Sequence, residues 1–254
     1  MATQSSADGS AARGRRRFAL YAYPPNELGY CGPDDPSLLT AAAGLDASPT
    51  GGLDTIARQF TGAWPYLSLI ARANHIADPL EDAVVDAYWL GGPMATRVTK
   101  EDFAASSAVR MEIRTGRHEE ELVSPLAHGA PLQHNYHVFV VYPWLGVLRR
   151  GGPEKVLSIL DGCRIRQGTL LSLDADQATV ESRELVFDGR TLKEGKPRAE
   201  KVRLGLEAMV GHEVPRLKIG DTVSLHWDWL CEPLSAEEAG RLAESTARVL
   251  QALL

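Results

Sequence analysis

The sequence has only three cysteines in 254 residues and no apolar run of about 18 residues that could cross a membrane. This odd, low number of cysteines argues against a disulfide framework and predicts a reducing, cytoplasmic environment. The stretch "RRRFAL" resembles a twin-arginine export signal, but prolines and a glutamate follow where such a signal needs an apolar stretch. The sequence therefore predicts a cytoplasmic protein with no membrane partner.

An excess of basic residues is also absent, because 27 Lys and Arg stand against 33 Asp and Glu, for a net charge of -6. This balance argues against nucleic acid as the main partner, since phosphate binding needs clustered basic side chains. The common catalytic motifs are missing as well: there is no Gly-rich phosphate loop, Gly-x-Ser-x-Gly, Cys-x-x-Cys or His-Glu-x-x-His. The composition, with 44% hydrophobic residues, is that of a globular protein.

The first half of the chain has the periodicity of helices. Apolar residues recur at steps of three and four over residues 53–70, and Pro65 predicts two helices there instead of one. In "DPLE", Asp78 and Glu81 form a capping box, which predicts a further helix that ends at Gly91. The first half is therefore expected to be a helical scaffold.

The second half changes to the periodicity of strands. The stretches "CRIRQGTLLSLD", "QATVESREL" and "LVFDGRTL" are rich in β-branched and apolar residues, and Asp188-Gly189 predicts a tight hairpin turn. The stretch "KEGKPRAEK" has the composition of a polar loop, and "VRLGLEAMV" that of a strand. Ser235 and Glu238 form a second capping box, which predicts a helix at the end of the chain.

These patterns together predict an α+β protein in three parts. Residues 1–17 are small and polar and then basic, and we expect a disordered basic arm. Residues 18–152 are expected to form a mainly helical N-terminal domain. Residues 153–254 are expected to form a small β-barrel with a C-terminal helix, after a composition change near "RRGGPEKV".

Residues that ligate metals are concentrated at the ends of the predicted elements. His134 and His137 lie three residues apart in "HNYHVFVVYPW", and Cys163 and His226 follow in the second half. If "HNYHVF" is a strand, residues three apart face opposite sides, whereas on a helix both imidazoles could share one ion. The β-branched run favours a strand, so we expect only one of these two histidines to face a pocket.

Two stretches of the second half resemble the HypC/HupF/HybG hydrogenase maturation chaperones. The pattern from Cys163 to Gly168, followed by "TLLSLDADQATVES", is similar to the opening of that family. The stretch "LKIGDTVSLHWDWLCEPLSAEEAGRL" is similar to its closing part, in which a valine strand, a histidine and an acidic helix follow a Gly-Asp turn. The resemblance covers roughly residues 160–252.

The resemblance implies both a fold and a function. Its members have a small β-barrel of the oligonucleotide-binding (OB) type with a C-terminal helix, and use a cysteine and a histidine to carry the Fe(CN)2CO unit of [NiFe]-hydrogenases. The matching residues are Cys163 and His226, and thiolate and imidazole are good iron ligands. The implied partners are a hydrogenase large subunit or other maturation proteins, and the implied cofactor is Fe2+, with or without CN and CO.

The sequence also departs from the chaperones. Their cysteine follows the initiator methionine, whereas Cys163 is internal, and Gln167 stands where they have a proline. Some 150 residues precede the barrel. The whole chain resembles an uncharacterised bacterial family associated with hydrogenase gene clusters, through "YAYPPNELGYCGPDD", "GAWPYLSLIA" and "YPWLGVLRRG".

Further candidate binding residues are Glu27, Cys31, Tyr136 and Trp227. Glu27 and Cys31 lie in a Pro/Gly-bounded loop, where exposed groups often serve binding. Trp227 is expected to fill the interface between the halves, with a flat stacking site as the alternative. Cys231 is expected in the core.

Three functions remain open at this stage. The first is a maturation factor that binds iron or the Fe(CN)2CO unit through Cys163 and His226, with His134 or His137 completing the site. The second is a mononuclear non-haem iron enzyme that makes a ligand or metabolite for hydrogenase assembly. The third is a metal-free adaptor.

Overall fold

The computed structural model describes residues 2–45, 52–114, 116–210 and 216–254. In the first 152 residues the helices are α1 (Ala2–Glu27), α2 (Ser37–Leu45), α3 (Leu53–Ala57), α4 (Trp64–Ala73), α5 (Asp82–Leu90), a 3-10 helix (Ala95–Arg97), α6 (Lys100–Ala104), α7 (Ser107–Arg114), α8 (Glu119–Ala127), α9 (His134–Tyr136), a π-helix (His137–Val141) and α10 (Trp144–Arg149). The later elements are α11 (Lys155–Cys163), β1 (Arg166–Leu173), β2 (Gln177–Phe187), β3 (Leu192–Arg203), α12 (Leu206–Met209), β4 (Thr222–His226), β5 (Trp229–Pro233) and α13 (Ala236–Gln251). The predicted α+β class is confirmed.

The sequence signals for helix ends agree with several observed bounds. Pro65 lies in the first turn of α4, where its missing N–H costs nothing, and α3 and α4 are separate helices as predicted. Ser235 caps α13 in a complete capping box with Glu238. The start of α5 differs from the prediction, because its N-cap is Glu81 and Asp78 instead accepts a hydrogen bond from Leu80 N in the preceding turn.

The disordered arm predicted over residues 1–17 is wrong where the structure describes it. Helix α1 runs from Ala2, and the Arg15 side chain lies buried between Asp54 and Asp78, at 2.9 and 2.8 Å. A Cβ on Gly14 would lie 2.1 Å from the Leu80 carbonyl oxygen, so α1 packs directly on the segment that leads into α5. The basic residues find acidic partners far along the chain, which composition alone does not show.

The five strands form a closed barrel in the order β1-β2-β3-β5-β4, with β1 also paired to β4. All pairs are antiparallel except a short parallel contact between β3 and β5. The barrel interior is a small separate core whose buried members are Leu170, Ala178, Val180, Val202, Val223, Leu225 and Leu230. The hairpin between β2 and β3 turns at the predicted Asp188.

Two local predictions for the barrel are wrong. The stretch "KEGKPRAEK" is not a loop but part of β3, since its backbone pairs with β2 over nearly its whole length. The stretch "VRLGLEAMV" ends β3 and continues as α12 instead of forming a strand. Polar composition misleads here because most side chains of this stretch are exposed, although its backbone pairs with β2.

A large hydrophobic core joins the two predicted halves. It contains Phe18 and Trp89 from the first half and Leu185, Cys231 and Leu242 from the second. The predicted division at residue 152 falls between α10 and α11, and it remains a prediction of domain organisation. No helix in the described parts of the chain combines the length and apolarity needed to cross a bilayer.

Candidate metal centre

The segment that carries His134 and His137 is helical. Gln133 caps α9 by accepting a hydrogen bond from Asn135 N at 2.8 Å, and the π-helix follows directly. The predicted strand is wrong because the β-branched residues after His137 are buried on all sides of a core helix, where periodicity does not separate helix from strand. The two histidines therefore need not face opposite sides.

Asn135 fastens this helical segment to the entrance of the barrel. Its side-chain amide donates to the Ile165 carbonyl at 2.9 Å and accepts from the Ile165 N–H at 2.8 Å. Ile165 lies between α11 and β1, two residues after Cys163. The paired hydrogen bonds hold His134 beside Cys163.

Three potential ligands meet at this point: His134, Cys163 and His226. One ligand atom from each lies within 4.8 Å of the other two. They come from three elements, namely α9, the last residue of α11 and the last residue of β4. Their exposed fractions are 6%, 7% and 0%, so the cluster is almost fully buried.

Hydrogen bonds orient the two imidazoles of the cluster. His226 Nδ1 lies 2.6 Å from the Tyr21 carbonyl oxygen and must donate to it, and its buried Nε2 makes no hydrogen bond of good geometry with any described residue. His134 Nε2 donates to the Cys163 carbonyl at 2.8 Å, and its Nδ1 lies 3.1 Å from the Tyr88 hydroxyl. A bound ion would use the free Nε2 of His226 and would displace one of the hydrogen bonds of His134.

Burial sets the protonation of these groups. It lowers the pKa of His134 to about 4, against the weaker opposing effect of its hydrogen bond to Cys163, and lowers the pKa of His226 well below its usual range. It also raises the pKa of the Cys163 thiol. The imidazoles are thus neutral at pH 7, as metal ligation requires, and the thiol loses its proton only when a cation compensates the thiolate.

A small apolar cavity of about 30 Å³ adjoins the cluster. Its walls include His134 and Cys163 of the cluster, together with His137, Cys31, Gly62 and Tyr142. His137 Nδ1 lies 2.9 Å from the Tyr66 hydroxyl, and its buried Nε2 finds no hydrogen-bond partner in the parts of the chain that the structure describes. Burial lowers the pKa of His137 to about 3, with a smaller contribution from His134, and raises the pKa of the Cys31 thiol to about 12.

A protein family described as a family of unknown function (DUF6390) matches residues 10–253. The chain belongs to the DUF6390 family. No curated protein and no solved structure matches this DUF6390 chain.

Two of the predicted binding residues of this DUF6390 protein lie in structural contacts. Glu27 accepts from Arg203 at 2.6 and 3.1 Å and from the Trp229 indole at 3.2 Å, so it joins the end of α1 to the barrel. Tyr136 points away from the cluster and donates to the Leu122 carbonyl at 2.6 Å. Neither residue reaches the cluster or its cavity.

Trp227 and Cys31 lie nearer to the site. Trp227 stacks on Tyr30 with ring centroids 4.6 Å apart, at the turn between β4 and β5, where its own φ is 54°. Its backbone N–H donates to the Gly162 carbonyl at 2.7 Å, next to Cys163. Tyr30 and Cys31 both line the cavity, so this stack closes one side of it. Cys231 is buried in the core, as expected.

Sequence analysis missed the residues that orient the site. Tyr66 and Tyr88 hold the two histidines of the helical segment, and the Tyr21 carbonyl holds His226. Gly62 leaves the space in front of His137. All four act across long sequence separations and carry no local motif, so no spacing rule could have found them.

Proposed function

We propose that this protein is a [NiFe]-hydrogenase maturation factor that holds iron, alone or as the Fe(CN)2CO unit, through His134, Cys163 and His226. The observation that carries the proposal is the meeting of these three donors within 4.8 Å, in an almost fully buried site. His137 is not a ligand in this account.

The donor set supports a transition metal. A thiolate and two imidazoles suit iron, zinc or copper, whereas magnesium and calcium prefer oxygen ligands. Three protein ligands leave further coordination positions for small exogenous ligands, as catalytic and carrier sites require. The unpartnered Nε2 of His226 is a buried polar atom that a bound ion would satisfy.

The choice of iron and of hydrogenase maturation draws on the resemblance to the HypC/HupF/HybG chaperones. The resemblance singles out Cys163 and His226, which are distant in sequence and adjacent in the fold. A closed five-stranded barrel followed by α13 is compatible with the OB-type, HypC-like barrel that the resemblance implies. On this proposal the protein is cytoplasmic, and its partner is a hydrogenase large subunit or another maturation protein.

The cavity favours a second candidate, a mononuclear non-haem iron enzyme that makes a ligand or metabolite for hydrogenase assembly. A small apolar space beside two of the three donors could admit a small substrate. A carrier and an enzyme would use the same three protein ligands. They differ in whether the iron carries cyanide and carbonyl ligands or turns over a substrate.

The test is purification from the native host without oxygen, followed by metal analysis and infrared spectroscopy. The carrier predicts about one iron per chain together with cyanide and carbonyl stretching bands, and loss of hydrogenase activity when the gene is deleted. Iron without these bands, combined with substrate- or oxygen-dependent turnover, would favour the enzyme. Absence of any metal in the native protein would leave a metal-free adaptor and overturn both iron-based functions.

A further inference from the structure

His137 presents one unused imidazole nitrogen to the cavity beside the metal cluster. Its Nε2 is buried and has no hydrogen-bond partner among the described residues, and the whole residue is only 6% exposed. Buried polar atoms without a partner are uncommon, and they often mark a place where a ligand completes the hydrogen bonding. The cluster proposed to bind metal does not include His137.

The Tyr66 hydroxyl fixes which nitrogen of His137 carries the proton. This hydroxyl lies 2.9 Å from the Nδ1 atom of His137. We take the phenol as the donor of this hydrogen bond, so that Nδ1 accepts it and carries no proton. In the neutral imidazole the proton is then on Nε2, so the cavity receives an N–H donor.

The cavity in front of this donor is small and otherwise apolar. Its volume of about 30 Å³ exceeds the roughly 10–15 Å³ that a cavity needs to hold one water molecule. Gly62 creates part of this space, because a Cβ there would lie 2.9 Å from His137 Nε2. His134 and Cys163 form another part of the wall, so an ion held by these ligands would border the same space.

We propose that this cavity takes a two-atom ligand of the bound ion, and that His137 Nε2–H donates a hydrogen bond to its outer atom. The inference rests on the proposed metal site and names the class of ligand: a small linear molecule whose outer atom carries negative charge, such as cyanide. Carbon monoxide fits the same space but accepts hydrogen bonds weakly. The hydrogen bond from His137 therefore favours the anion, whereas the space left by Gly62 admits both ligands.

The experiment uses the full chain loaded with Fe2+ without oxygen, and titrates it with cyanide or with carbon monoxide. His137→Leu removes the donor, His137→Gln keeps an N–H group at nearly the position of Nε2, and Gly62→Ala fills the space. Iron per chain and circular dichroism are measured for each variant before and after titration. Ligand affinity and the infrared stretching frequency are the readouts.

In His137→Leu we expect unchanged iron content, cyanide affinity reduced roughly tenfold or more, and carbon monoxide affinity within about twofold of wild type. His137→Gln should restore most of the cyanide affinity, and Gly62→Ala should weaken both ligands. Unchanged cyanide affinity and stretching frequency in iron-loaded His137→Leu would overturn this inference alone. If wild type holds no iron, the metal proposal fails and this inference fails with it.

Discussion

At the scale of single residues, the three donors differ in what holds them. His226 is fixed by its bond to the Tyr21 carbonyl and keeps Nε2 free. Both ring nitrogens of His134 make hydrogen bonds, and Cys163 is held in place as the last residue of α11. His226 therefore already presents a free ring nitrogen to an ion. His134 must give up one of its hydrogen bonds before it can bind the ion.

Substitutions of residues that bind the same ion should not have additive effects on the free energy of iron binding. Cys163→Ala and His226→Ala should each abolish stable iron binding, because two remaining donors hold an ion poorly. The double variant should lose little beyond either single variant. Equilibrium dialysis against Fe2+ without oxygen measures all four proteins; additive, partial losses would show that the two residues act at separate sites.

Glu207 in α12 gives a second prediction at this scale. It is 4% exposed, and burial raises the pKa of its carboxyl from 4.5 to about 7. The folded state then binds the proton more tightly than the unfolded state, so this residue costs stability as the pH rises from 4.5 to about 7.

Relative to Glu207→Gln, wild type should lose on the order of 3 kcal/mol of unfolding free energy between pH 4.5 and pH 8. Urea unfolding of both proteins across this range is the measurement, and the Gln variant cancels the contributions of all other titrating groups. Parallel stability curves for the two proteins would contradict the assigned pKa of Glu207.

At the scale of elements, α1 connects helices of the first half with the barrel and the last helix. Arg17 lies 13% exposed and pairs with Asp86 of α5, Glu232 of β5 and Glu238 of α13, at 2.7, 2.7 and 2.8 Å. Four elements thus share one guanidinium. The same helix supplies the Tyr21 carbonyl that orients His226, so its docking and the metal site are linked.

Arg17→Met should reduce the free energy of unfolding by about 3 kcal/mol, because it leaves three carboxylates without their common cation. Arg13→Met in the same helix is the matched control. Its side chain is 60% exposed and pairs with Asp82 at 3.3 Å, and its loss should cost less than about 1 kcal/mol. Chemical denaturation measures the free energy of unfolding of both variants. Equal losses would mean that the buried ion pairs of Arg17 stabilise the fold no more than the exposed pair of Arg13.

At the scale of the whole molecule, local sequence signals predicted several turns and helix ends, but they missed elements that depend on contacts between distant residues. The Ser235 capping box, the Asp188 turn and the break at Pro65 depend on nearby residues, and the structure bears them out. Helix α1 was missed because its arginines are stabilised by acids far along the chain. The π-helix was missed because a fully buried segment has no periodic polar face.

The candidate site shows the same division. The resemblance singled out Cys163 and His226, and the local density of histidines singled out His134, so all three members of the cluster were candidates. Their meeting could not be predicted, since it depends on the packing of α9, α11 and β4. The cavity and the tyrosines that orient the histidines arise only from the assembled core.

The central claim is that His134, Cys163 and His226 hold one metal ion, and iron per chain in two cysteine variants tests it most directly. Cys163 and Cys231 are both buried thiols, but Cys231 does not belong to the cluster. With native circular dichroism in both variants, we predict about one iron per chain in wild type and Cys231→Ala, and almost none in Cys163→Ala. Full iron retention in Cys163→Ala would contradict the account.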